Sequence, residues 1–413
     1  MATVKPFRGF RPVPALAAQV ASLPYDVMDS AEARLITSQN PLSFLRVTKA
    51  EVDLPPDVDI HSAVVYQKAR ENWEWLIQEK IMVQDEQPSF YIYRQQMEDH
   101  VQVGLVAAVS VDEYEQGIIK KHELTRPDKE QDRVDHILTT GVQTGPAFLT
   151  YKEDAVITGL MQAAMETAPV CDFTADDGIR HTLYAVAAPS ATAALAEAFE
   201  HIPVLYIADG HHRSAAALKV RDVLRRGNPV HTGAEAYNYF LAVIFPHTMM
   251  KIMDYNRVVR DLNGLTHAAF FERLEACFTY ERQQGPVKPE SAKTFGMYLA
   301  SRWYELAVKP EVVTGLGPVA GLDVSILQDH LLQPVLDIGD PRTDQRIHFV
   351  GGIRGMGELE RLVDSGDYQV AFSLFPTAIE ELMAIADLGG IMPPKSTWFE
   401  PKLRDAMVVH VIR

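Results

Sequence analysis

The apolar run Ile202-Pro203-Val204-Leu205-Tyr206-Ile207-Ala208 stops abruptly at Asp209-Gly210-His211-His212-Arg213, and an Ala- and Leu-rich stretch over 214–220 follows. The run has the short β-branched and aromatic character of a buried strand, and the stretch after it is made of strong helix formers. The pattern predicts strand, turn, helix, with five functional groups where the strand ends. Free amides and partial positive charge at a helix start attract anions. Gly210 lets a ligand approach the backbone, and Arg213 offers a planar fork for phosphate oxygens. The same residues also suit a plain helix cap, in which Asp209 bonds its own backbone and the histidines pack.

The remaining 400 or so positions of this 413-residue chain limit what such a turn can serve. A composition of 47% apolar and 23% charged residues, without a biased tract, predicts a globular, enzyme-sized protein. A formal charge of −16 argues against nucleic-acid or anionic-membrane partners, which a basic face would have to attract. The two cysteines, Cys171 and Cys277, have no metal-ligand spacing and read as reduced core residues, which fits a cytoplasmic protein. The start, Met1-Ala2-Thr3-Val4-Lys5-Pro6, has no signal-peptide core, and no run is long and apolar enough to span a membrane.

Along the chain, helical and strand patterns alternate. The spacing of Val64, Val65, Ala69, Trp73, Leu76 and Ile77 predicts an amphipathic helix within 59–83. A hairpin is expected over 90–95 and 101–111, helices over 128–140, 153–167 and 191–201, and strands over 147–151, 183–187 and 239–245. Beyond a polar break at Asn263-Gly264 come a hairpin over 294–308, a helix over 323–332, a strand over 368–375 and a helix over 377–386. The fold class is α/β, with mixed α+β as the alternative. The break divides a phosphate-binding core, 1–262, from an α+β region, 263–413, expected to lend a loop to the site.

Three further clusters carry chemistry. Lys120-Lys121-His122-Glu123-Leu124-Thr125-Arg126 offers a base or ligand pair in His122 and Glu123, but such a run before a helix also suits a solvated edge. In Pro393-Pro394-Lys395-Ser396-Thr397, rigid prolines precede one cation and two hydroxyls suited to phosphate. The alternative is a rigid loop packing Trp398 and Phe399. The glycines around Arg354 fit an ordinary tight turn. No metal-ligand set is expected: His-x-x-x-His and Cys-x-x-Cys are absent, and adjacent His211 and His212 point apart. A hard cation held by carboxylates and phosphate, such as Mg²⁺, fits as a cofactor.

The combination of Lys5-Pro6-Phe7-Arg8-Gly9, Pro24-Tyr25-Asp26-Val27, His122-Glu123-x-Thr125, Asp209-Gly210-His211-His212-Arg213 and Met392-Pro393-Pro394-Lys395-Ser396-Thr397 resembles the family known as domain of unknown function 1015, DUF1015. It departs from that family's pattern at Tyr255-Asn256-Arg257, where a His-Arg pair is expected. The Asp-Gly-His-His-Arg turn is also similar to the phosphate-binding turn of the ParB and sulfiredoxin superfamily, which includes free-serine kinases and nucleotide-hydrolysing switches. That resemblance implies a ParB/sulfiredoxin-like core with family-specific additions.

The kinase resemblance implies two catalytic acids, Asp209 and, upstream, Glu123, with His122 beside it. Gly210, His211, His212, Arg213, Lys395, Ser396 and Thr397 are then expected to bind phosphate or nucleotide. Arg8 and Arg46 are candidates for the carboxylate of an amino-acid substrate. The expected function is a small-molecule phosphotransferase, foremost a free L-serine kinase using ATP, ADP or pyrophosphate. The alternative is a nucleotide-binding or nucleotide-hydrolysing switch or scaffold. Sulfinic-acid repair would need a cysteine in the turn, where His211 stands.

Overall fold

A computed structural model describes all residues, Met1–Arg413, and they divide into two compact units, 1–250 with 401–413, and 251–400. The units part at 250/251, and the last residues return to the first one. The architecture is α/β.

The first unit is built on a nine-stranded mixed sheet in the order Ile119–Lys120, Leu205–Asp209, Ala147–Tyr151, Tyr239–Pro246, His100–Ser110, Phe90–Met97, Arg180–Val186, Cys171–Thr174, with Val4–Lys5 added against His100–Ser110. Alternation explains how its strands fill one core. Phe90 and Ile92, Leu105 and Ala107, Leu149 and Tyr151, Leu205 and Ile207, and Ala242 and Ile244 recur at period two and are fully buried. Ile157 and Met161 from helix Ala155–Ala164, and Leu195 and Phe199 from helix Pro189–Glu200, close over them. The expected hairpin forms, with Met97 facing His100 and Glu98 in a left-handed turn conformation. The expected amphipathic helix spans Ala63–Gln78, burying Val65, Ala69, Trp73 and Leu76.

Two pairings at one end of this sheet matter for function. Leu205–Asp209 runs parallel to Ile119–Lys120, with Leu205 opposite Ile119 and Tyr206 opposite Lys120. Parallel neighbours leave a sheet at the same edge, so the residues that follow Lys120 and those that follow Ala208 emerge side by side. Leu205–Asp209 also pairs antiparallel with Ala147–Tyr151, and the register slips between Ile207 and Asp209. Such an irregularity bends the strand and re-aims the side chain beyond it.

Helix His211–Gly227 begins there, three residues earlier than its Ala-rich stretch predicts. It packs on helix Pro127–Thr140 through Ala216 and Val220 against Val134 and Ile137, with Tyr237 and Ile412 completing the cluster.

The second unit carries an antiparallel six-stranded sheet in the order Phe278–Gln283, Arg302–Val308, Thr294–Leu299, Val370–Leu374, Tyr255–Val259, Ile347–Gly351. Leu359 and Val363 of helix Met356–Asp364 cover it at Val258, Tyr298, Trp303 and Ala371. The helix expected over 323–332 is an α-helical turn, Asp323–Leu327, that runs into a π-helical one, Gln328–Leu332. Lys251–Met253 pairs antiparallel with Trp398–Glu400, so the first and last residues of the unit face each other. No helix of the chain is long and apolar enough to cross a membrane. Both cysteines are free, Cys171 buried and Cys277 half-buried.

Candidate functional site

The turn after Leu205–Asp209 depends on a glycine. Gly210 has φ +90°, and a Cβ there would lie 3.2 Å from Ala147 Cα. Conformation and space both disfavour a larger residue. Gly210 occupies the N-cap of helix His211–Gly227, with no side chain capping the helix amides. Asp209 therefore does not cap the helix, although its expected bond to its own backbone forms. Asp209 Oδ1 accepts from the Gly210 amide at 2.7 Å, within the turn itself, and its other oxygen is engaged elsewhere.

That second oxygen, Oδ2, lies 3.1 Å from Lys402 Nζ. Lys402 is held on the sheet by its own backbone, whose carbonyl accepts from the fully buried Gln95 side chain at 2.9 Å. Desolvation opposes ionisation of Asp209, but the Lys402 and Arg213 cations outweigh it and hold the carboxyl well below the usual range. The side chain is still 44% exposed, so a fixed negative charge stands at an accessible strand end.

Arg213 extends from the first turn of the helix. Its Nη1 donates to the Pro146 carbonyl at 2.7 Å, and its Nη2 lies 3.5 Å from Asp26 Oδ1. Two guanidiniums lie near the Tyr25 ring, Arg133 at 3.8 Å and Arg213 at 5.6 Å from its centroid. Burial pushes the Tyr25 hydroxyl up to about 12. Asp405 completes this group: it is buried, neither carboxylate oxygen has a hydrogen-bond partner, and Gly145 leaves room for it. Burial pushes its carboxyl up to about 7, against the pull of the Arg213 cation. A cavity of about 30 Å³ lies among Tyr25, Arg133, Arg213 and Asp405, room for water rather than substrate.

The facing segment is fastened to the turn by the two adjacent histidines. The His122 amide donates to His211 Nε2 at 3.5 Å, and the Arg126 amide to His212 Nε2 at 3.0 Å. Burial lowers the proton affinity of both histidines, so they accept these bonds as neutral rings. His211 Nδ1 lies 3.7 Å from Glu123 Oε2. The His122 ring meets the His211 ring edge-on, with centroids 4.5 Å apart. Burial drives the His122 pKa down to about 4, a fall that neighbouring Asp209 and a bond to the Ile207 backbone only partly offset.

The structure thus gathers His122, Glu123, Asp209, Gly210, His211, His212 and Arg213 at one sheet edge. It gives other expected residues different partners. Arg8 Nε donates to the Asp85 carbonyl at 3.1 Å, and Arg46 forms an ion pair with Asp53. Lys395, Ser396 and Thr397 belong to the second unit. There the Lys395 carbonyl accepts from Arg257, its ammonium lies 5.6 Å from the Tyr255 ring centroid, and buried Ser396 donates to the Pro393 carbonyl. Sequence reasoning missed Tyr25, Asp26, Lys402 and Asp405. The motif Pro24-Tyr25-Asp26-Val27 was the available signal for the first two.

The chain matches the family described as "Protein of unknown function (DUF1015)" over residues 4–325. No curated protein matches it. Among solved structures it is similar to a free serine kinase in complex with AMP, at 15% identity and a TM-score of 0.35, covering 71% of this chain and 86% of that one. A conserved hypothetical protein from Pyrococcus furiosus matches at 15% identity and 0.35, covering 73% and 93%. C-terminally truncated SbnI from Staphylococcus aureus matches at 12% and 0.37, covering 72% and 84%.

Proposed function

The chain belongs to the DUF1015 family, whose name assigns no reaction, and from its site we propose a small-molecule phosphotransferase, with free L-serine as acceptor and ATP, ADP or pyrophosphate as donor. One observation carries the reading: an accessible carboxylate, Asp209, is held ionised between Lys402 and Arg213 at the start of a long helix. A structural aspartate at this position would cap the helix, and Gly210 takes that place instead.

Phosphoryl transfer needs positioning and charge neutralisation more than covalent chemistry. The Arg213 guanidinium and the free amides at the start of helix His211–Gly227 suit the oxygens of the transferring group. Asp209, whose proton affinity is low, suits orienting the acceptor hydroxyl or holding Mg²⁺ on the donor phosphates better than removing a proton. Glu123, half-exposed on the facing segment, takes the second acid's task. Bound Mg²⁺ would supply charge neutralisation there, with Asp209 as its protein ligand.

A second reading, a nucleotide-operated switch, is favoured by the His211 and His212 bonds to the 122–126 segment, because a ligand at the turn would act on that segment directly. A turnover screen crossing ATP, ADP and pyrophosphate with serine and other small alcohols separates the two. Serine-dependent phosphate transfer is the expected result. Nucleotide binding without acceptor-dependent turnover would leave the switch, and no binding of any donor would overturn both.

A further inference from the structure

We propose that His122, Glu123 and His211 form a binding site for a divalent transition-metal ion of the zinc class, distinct from any Mg²⁺ carried by a phosphate donor. Each residue offers one ligand atom, and these atoms all lie within 4.8 Å of one another. Linear spacing hides this set, because two of its members are 89 positions apart. The parallel pairing of Ile119–Lys120 with Leu205–Asp209 brings them together.

The state of His122 points to a ligand. The side chain is 2% exposed, and its Nδ1 has no hydrogen-bond partner. The Ile207 backbone hydrogen-bonds the ring. A carbonyl on one ring nitrogen fixes the proton there and leaves the opposite lone pair bare, the arrangement that metal-ligating histidines adopt. A buried, bare imidazole nitrogen otherwise costs the free energy of an unmade hydrogen bond.

Donor chemistry selects the ion. Two imidazoles and one carboxylate are a borderline set suited to Zn²⁺, Co²⁺, Mn²⁺ or Fe²⁺, whereas Mg²⁺ takes oxygen ligands and keeps its waters. Three protein ligands leave a position open, as in catalytic rather than structural zinc sites. Glu123 lies on the accessible side, its side chain 42% exposed, so the open position faces a route by which an ion and a small anionic ligand can enter. The His122 amide contact to His211 Nε2, at 3.5 Å, is at the outer limit of a hydrogen bond and opposes coordination by that ring only weakly.

The test uses the full chain stripped with a chelator, dialysed, and titrated with Zn²⁺ and, for its visible absorption, Co²⁺. One ion per chain is expected, with d–d bands of a low-coordinate Co²⁺ site that Zn²⁺ abolishes and millimolar Mg²⁺ leaves in place. Glu123→Gln keeps size at a half-exposed position, so it should fold as the parent does and weaken binding at least about tenfold. His122→Ala should abolish it. If that buried variant fails to fold, Glu123→Gln decides alone. Binding of less than about 0.1 ion per chain, equal binding by Glu123→Gln, or displacement by Mg²⁺ would overturn the site. Stoichiometry is read without turnover, so a failure here leaves the phosphotransferase reading to its own assay.

Discussion

Lys402 Nζ lies 3.1 Å from Asp209 Oδ2, joining two residues 193 positions apart. The pair is asymmetric, with Lys402 14% exposed and Asp209 44% exposed, so the cation forms the floor on which the carboxylate is presented. Asp209→Asn keeps an oxygen for the Gly210 amide while removing the charge. It should slow serine-dependent transfer by at least about 100-fold and cost about 1 kcal/mol of stability. Melting temperature and turnover measured on the same preparation check this. Unfolding, or parental turnover, would remove Asp209 from the chemistry.

Lys402→Gln tests the partner. Removing a cation favours the neutral acid, so the Asp209 pKa rises and the acid limb of the pH–rate profile moves to higher pH. Turnover near neutrality should change far less than turnover in mild acid. An unmoved profile with a uniformly lower rate would make Lys402 a packing residue.

Gly210→Ala forces an L residue to φ +90° and sets a methyl 3.2 Å from Ala147 Cα. A destabilisation of about 1–3 kcal/mol is expected in chemical denaturation. Parental stability would show that the turn relaxes more freely than its strand pairing implies.

Asp405 supplies a pH dependence with a definite sign. Its carboxyl is raised from 3.8 to about 7 in the folded chain, so between those values the folded state holds a proton that the unfolded state has released. Its contribution to stability is therefore fully present below about 4 and lost as pH rises through about 7. Asp405→Asn, neutral at every pH, should gain stability relative to the parent as pH is raised from 5 to 8. The depressed His122, His136 and His410, each at about 4, act oppositely in both proteins, losing stability as pH falls below 6.5. The difference between parent and variant isolates Asp405. A difference that does not change with pH would mean that its oxygens are satisfied in solution.

Much of the fold was legible because it rests on local periodicity. The alternation of Leu205 and Ile207, the helical spacing of Val65, Ala69, Trp73 and Leu76, and the glycine at the turn each declare an element within a few residues. The short edge strands Ile119–Lys120 and Cys171–Thr174 declare themselves less, having two and four residues and taking their conformation from a neighbour. The site was half legible for the same reason. Its turn is a local motif, but Asp26, Lys402 and Asp405 reach it through sheet register and chain return, which leave no periodic trace. Near the end of the chain the two hydroxyls after Lys395 make it the conspicuous cation, whereas the cation on Asp209 is Lys402, placed by a glutamine on a distant strand.

The return of 401–413 to the first unit sets an order in time. During synthesis the strands, turn and helix around Asp209 are complete long before Lys402 exists, and the whole second unit must emerge in between. Domains fold as they leave the ribosome, so a nascent first unit passes through a stage in which the Asp209 charge has no Lys402 beside it. The pairing of Lys251–Met253 with Trp398–Glu400 shortens that stage, since folding of the second unit brings its exit back to its entrance and delivers Lys402 to a chain already waiting for it.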